Sequence, residues 1–150
     1  MADKSFESSA KYTGTEMYTA PSARSLNAYT REAAATRVAS ASPHALIAML
    51  YEGIDQSLLT AIGAMERGDL AGKGTALGKA IRLISEGLRP ALSPEGGELT
   101  QRLDTLYGYC IARLTEANLR NDKGMIEEVR GLLEPVADAW NQIRPEGTGR

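Results

Sequence analysis

SPHALIAMLYEGIDQSLLTAIGAM, residues 42–65, opens on a serine and a proline and then repeats apolar side chains at helical spacing. The Ser42 hydroxyl suits the capping of orphan backbone amides, and Pro43 suits the first helical position, where a missing N–H costs nothing. Ile47, Leu50, Tyr51, Ile54, Leu58, Ala61, Ile62 and Met65 recur at three- and four-residue intervals, which places them on one continuous face. The spacing predicts a long helix ending near Arg67 and Gly68. Leu46, Met49 and Leu59 fall outside that stripe, so the helix either lies centrally in its domain or turns part of its surface to a groove.

The segments on the C-terminal side read the same way. Asp69 is placed to cap a second long helix whose face is Leu70, Leu77, Ala80, Ile81, Ile84 and Leu88, with Pro90 and Pro94 ending it. Gly96 and Gly97 complete a turn, after which Leu99, Leu103, Leu106, Cys110, Leu114 and Ala117 form a third face, flanked by Tyr107 and Ile111, that breaks around Asn118 to Asn121. Asp122 caps a last helix carrying Met125, Ile126, Val129, Leu132, Leu133, Val136, Trp140 and Ile143. Glu127 and Glu128 stand near its N-terminus, where the helix dipole favours acids. Pro135 lies inside this helix and is expected to kink it.

On the N-terminal side, AYTREAAATRVA at residues 28–39 is rich in helix formers but weakly apolar, so a short accessory helix with marginal docking is expected. Residues 1–27 are small, polar or charged, with isolated apolar side chains at no regular spacing, the composition of a disordered tail; residues 145–150 read as a flexible C-terminal tail. Four long helices with short connections imply an all-α fold, an antiparallel up-and-down four-helix bundle over residues 28–144 with the short additional N-terminal helix beside it.

Composition narrows the function. The chain has 150 residues, 43% of them hydrophobic and only 5% aromatic, which suits one core of packed helices. Its 17 Lys and Arg stand against 19 Asp and Glu with no basic run, so nucleic acid is an improbable partner. No signal-peptide pattern opens the chain and no segment approaches the ~18 consecutive apolar residues of a membrane span; with a lone cysteine, Cys110, this points to the cytoplasm.

No catalytic, cofactor-binding or metal-binding constellation emerges. The sole histidine, His44, has Ala41 three residues before it, so the Glu-x-x-His pattern of bundle metal sites is missing, and an exposed or capping-turn residue is the expected reading. GDLAGKGT at residues 68–75 has a superficial likeness to a phosphate loop. The glycine spacing is one residue short, Gly74 stands where a hydroxyl should hold magnesium, and no strand precedes it, so a solvated interhelical turn is expected. Cys110 falls on an apolar face, where a buried thiol of raised pKa is expected rather than a nucleophile. Glu52 and Asp55, three residues apart, read as the wet edge of a helix rather than an acid/base pair.

The segment RVASASPHALIAMLYEGI, residues 37–54, closely resembles the signature of the flagellin export chaperone family, FliS. Similar features follow in order: AIGAMERGDLAGKG at residues 61–74, GGEL at 96–99, LYGYCIARLTEANLRND at 106–122, and the EEV and Trp140 of the last helix. The resemblance spans residues 28–143, and Pro135 and the long polar tail depart from it. It implies a cytosolic helical bundle, not an enzyme, that binds the C-terminal segment of flagellin, prevents its premature polymerisation and assists its delivery to the flagellar export apparatus. The expected partner contacts are Leu46, Leu50 and Tyr51, a second patch of Leu106, Tyr107 and Asn118, and Tyr29 and Val38 as gate residues of a first helix that covers part of the groove without client. Each also has an ordinary structural reading: Leu106 and Tyr107 as core, Asn118 as a helix cap, Tyr51 packed inside with its hydroxyl at the rim. A generic adaptor for another amphipathic helix, and an enzyme depending on His44 or Cys110, are the competing readings.

Overall fold

In the computed structural model of the protein, residues 41–143 are described, and they form four long helices: α1 Pro43–Glu66, α2 Leu70–Arg82, α3 Gly97–Arg120 and α4 Lys123–Gln142. The predicted N-caps hold. Ser42 Oγ accepts from the Ala45 amide at 3.1 Å, Asp69 Oδ1 from Gly72 at 2.9 Å and Asp122 Oδ1 from Met125 at 3.3 Å. Asn121 ends α3 in the left-handed conformation at φ 56°, which asparagine tolerates and most residues do not. Helix α4 runs through Pro135 to Gln142.

Beyond Arg82 the second helix changes register. Leu83–Leu88 is a π-helical segment, followed by a single α-turn at Arg89–Ala91 and a 3₁₀ turn at Pro94–Gly96. Pro90 supplies the reason: in α geometry its ring would crowd the carbonyl of Glu86 and it has no N–H to offer. Widening the turn removes the conflict, and the Arg89 amide bonds to Ile84 O, five residues back. Apolar periodicity alone carried no sign of this change.

Cross-links fix the directions of the helices. Along α1, His44, Asp55 and Glu66 meet Trp140, Arg130 and Lys123 of α4, in reverse order, so the two run antiparallel. Lys73 and Arg89 meet Asn118 and Asp104 of α3, again in reverse order. Each helix packs on its sequence neighbours and α4 closes back on α1, giving the predicted up-and-down bundle. Helices α1 and α3 lie diagonally, joined at the centre by a hydrogen bond between the buried Tyr51 and Tyr107 hydroxyls.

The core is built from Ile47, Leu50, Ile54 and Leu58 of α1, Leu77 and Ala80 of α2, Leu83, Ile84 and Leu88 of the π segment, Tyr107 and Leu114 of α3, and Ile126 and Trp140 of α4. Burying each of the large aliphatic side chains contributes about 1.5–3 kcal/mol. Leu46 and Met49 are buried as well, so α1 is the central helix, while Leu59 stays exposed. Two predicted core positions are not core. Leu70 is 59% exposed because it is the first residue of α2, beyond the end of the packed layers, and Leu132 lies on the outer side of α4. Counter to the sequence reading, α1 is long and apolar enough to cross a membrane by length and composition; half of its apolar window is buried in the bundle, where it serves as a core helix.

Candidate functional site

The seam between α1 and α4 is not closed along its whole length. An open groove of about 230 Å³ runs along it, with a floor of Tyr51, Ile54, Leu58, Leu133 and Ala137. The helical repeat explains the floor: on α1 the residues 51, 54 and 58, and on α4 the residues 133 and 137, lie three or four apart and share the inward faces of their helices. The α1 wall carries Glu52 and Asp55, and the α4 wall carries Arg130, Glu134, Asp138 and Asn141. Arg130 Nε donates to Asp55 Oδ1 at 2.8 Å, strapping the groove across its width, and this bond holds the guanidinium pKa above its usual value.

Both ends of the seam are tied. At one end Lys123 Nζ meets Glu66 at 3.4 Å on the surface. At the other, Trp140 Nε1 donates to His44 O at 3.1 Å, and His44 Nε2 lies 3.1 Å from Trp140 O, with the two rings stacked at 4.4 Å and 16°. Reciprocal main-chain bonds and ring stacking make this a clasp between the first turn of α1 and the last turn of α4. His44 is therefore half-buried against tryptophan rather than exposed. Burial lowers its pKa from the ordinary 6.5, against the opposite pull of the Trp140 and Ile143 carbonyls.

The expected partner-binding residues divide sharply. Tyr29 and Val38 lie outside the described residues. Leu46 and Leu50 are buried, the latter pressed so close to Gly87 that a Cβ there would sit 2.9 Å from Leu50 Cδ2. Tyr51 and Tyr107 meet in the core, Leu106 is half-buried, and Asn118 is exposed on α3 with its carbonyl accepting from Lys73 Nζ at 2.9 Å. Of the six that are described, Tyr51 alone lines the groove. The sequence reading missed Arg130, Glu134, Ala137 and Asp138. Local pattern gave no sign of them: Arg130 stands one turn before Glu134, an attractive spacing that offsets the repulsion between Glu134 and Asp138.

The two sequence features with a faint chemical likeness have structural roles. Lys73 is only 6% exposed, contrary to a solvated turn; its ammonium bonds to Asn118 O and to the Asn121 side chain and so clamps α2 to the end of α3. Cys110 is fully buried, and desolvation pushes its thiol up to about 11, as the apolar face predicted. Among the described residues, no group of three or more His, Cys, Asp or Glu side chains converges to hold a metal ion.

Comparison with known proteins adds a lineage to this geometry. The family described as Flagellar protein FliS matches residues 25–147. The flagellar secretion chaperone FliS of Salmonella typhimurium is 47% identical over 133 residues, covering 88% of this chain and 96% of that protein. The protein of the same name from Escherichia coli is 42% identical, covering 80% of this chain and 89% of its own, and flagellar secretion chaperone FliSB of Pseudomonas aeruginosa is 45% identical, covering 80% and 95%.

Proposed function

The chain belongs to the flagellar protein FliS family, and from that premise we propose that it is a cytoplasmic export chaperone that binds the C-terminal helical segment of flagellin one to one. It is a binding protein of flagellar secretion rather than an enzyme. Binding keeps the segment from polymerising prematurely and assists its delivery to the flagellar export apparatus. A segment that must pack into a filament is amphipathic, and in free solution its apolar face would associate with others of its kind. A helix laid in a groove hides that face without covalent chemistry.

The observation that carries this reading is the α1–α4 groove, with an apolar floor about two helical turns long. Tyr51 provides part of that floor, and Leu46 and Leu50 back the same helix from within. Leu106 and Asn118 belong to a second contact on α3, with Tyr107 buried behind it rather than touching the client, and Tyr29 and Val38 to a gate, in the same proposal. The test is titration calorimetry of the full chain with a peptide of the flagellin C-terminal segment. Saturable one-to-one binding that disappears when the peptide's apolar face is made polar is expected. A folded sample that releases no heat with the native peptide would overturn the proposal in favour of an adaptor for another amphipathic helix.

A further inference from the structure

The floor of the α1–α4 groove is tied to a helix that takes no part in the groove. Tyr51 lines it, whereas Tyr107, on α3, does not. Helices α1 and α3 are diagonal and pack on their neighbours rather than on each other, yet the hydroxyls of these two residues are hydrogen-bonded at the centre of the bundle. Tyr107 is 0% exposed and Tyr51 5%, so the first is sealed in the core and the second keeps an edge at the groove. Both tyrosines make other contacts too. For the bond between them, packing supplies little reason: two phenylalanines would fill nearly the same space, and replacing both partners of a buried hydrogen bond by apolar groups of the same shape is close to neutral.

Resting on the groove as the seat of the client helix, we infer that Tyr107 is a positioning residue for client binding, which acts by holding the Tyr51 hydroxyl inward so that Tyr51 offers the groove ring carbon alone. A tyrosine has an apolar body and a polar tip, and where the tip is bonded decides which of the two a surface presents. With the tip held from α3, the ring joins Ile54 and Leu58 in an apolar floor. Removing the Tyr107 hydroxyl weakens that inward hold, and the groove that Tyr51 lines is open to water. A phenol tip turned that way fills part of the groove and sets a polar atom where the client's apolar stripe has to lie, and covering such an atom without a partner opposes binding. The two hydroxyls therefore have unlike roles. Without its own hydroxyl, Tyr51 leaves an apolar ring in the floor and has nothing to turn outward; without that of Tyr107, the tip of Tyr51 is released.

The experiment titrates the full chain with the flagellin C-terminal segment in a calorimeter, and measures denaturant midpoints alongside, for Tyr107→Phe, Tyr51→Phe and the double variant. Tyr107→Phe is expected to weaken binding about tenfold, while Tyr51→Phe and the double variant stay within about twofold of the parent. Both single variants should lower the midpoint, because each leaves one member of a buried bond behind. Stability and affinity then part company: two variants are destabilised, one of them loses affinity, and adding Tyr51→Phe to that one restores it. A Tyr107→Phe chain that binds like the parent, or a double variant as weak as Tyr107→Phe, overturns the inference and leaves the chaperone reading intact. Equal losses of affinity in the two single variants also overturn it and make the pair a purely structural bond. Should Tyr107→Phe not fold, Tyr51→Phe decides: retained affinity supports the inference, and a tenfold loss sinks it by showing that the Tyr51 hydroxyl itself serves the client. A folded parent chain that does not bind the segment removes the inference and the chaperone reading together.

Discussion

Two seams of the bundle, α2–α3 and α1–α4, treat their charges differently. Between α2 and α3, Lys73 is buried with its ammonium held by the Asn118 carbonyl and the Asn121 side chain, and Arg89 Nε donates to Asp104 Oδ1 at 2.9 Å. Each cation on that side has its acceptors within the fold. Between α1 and α4, Arg130 is bonded to Asp55 across the seam and lies one turn from Glu134 on its own helix, beside a groove that remains open. The contrast shows that a bundle of this size can close a seam with charges when closure is all that is needed.

The most severe way to break the comparison is to remove the clasp that holds the α1–α4 seam at its far end. Among the described residues Trp140 is the largest fully buried side chain; its Nε1 donates to the His44 carbonyl, and its own carbonyl meets His44 Nε2. Trp140→Ala should lower stability by about 3–5 kcal/mol, the cost of a large core cavity, read as a shifted denaturant midpoint. A loss below about 1 kcal/mol would mean that the clasp does not hold the seam. Next in size is Lys73→Met, which keeps the packed stem and deletes the charge. It leaves the Asn118 carbonyl and the Asn121 side chain without their donor and should cost about 1–3 kcal/mol. Peptide affinity at the other seam should not change; a variant as stable as the parent, or one that loses client binding, contradicts the division of labour between the seams.

How much of this was legible in the sequence depended on whether the signal was local. The caps Ser42, Asp69 and Asp122 act within three residues of themselves, and apolar periodicity reports which face of a helix is buried, so the helices and the bundle could be read directly. Periodicity says nothing about where a helix end lies relative to its neighbours, which is why Leu70 was placed in the core although it projects past it. The π segment depends on a conflict between Pro90 and a carbonyl one turn earlier, and the apolar spacing survives that conflict unchanged. Lys73 was misjudged, and the stacking of the first-turn His44 on Trp140 was not foreseen, for a shared reason: the partners, Asn118 and Trp140, are 45 and 96 residues away. The groove could not be read because it belongs to no helix. Its walls are set by the pairing of Asp55 with Arg130, 75 residues apart.

The subtlest way to sharpen the comparison is by pH, because the clasp contains the chain's only histidine and the α2–α3 seam contains none. Burial lowers the native pKa of His44, so the folded state holds the ring neutral at pH values where the unfolded chain, with its ordinary 6.5, has begun to take up a proton. The unfolded state then binds more protons than the native state, and stability rises with pH across that interval. The contribution is complete above about pH 6.5, is lost as pH falls toward the lowered native value, and changes no further once both states are protonated. Carboxylates titrate lower, near 4, so a denaturation series kept above about pH 5.5 isolates the ring. His44→Phe retains a flat ring against Trp140 and cannot titrate; its stability should be flat over the interval in which the native chain slopes. A parallel slope in the variant would assign the pH dependence to some other group and would leave the clasp as packing alone.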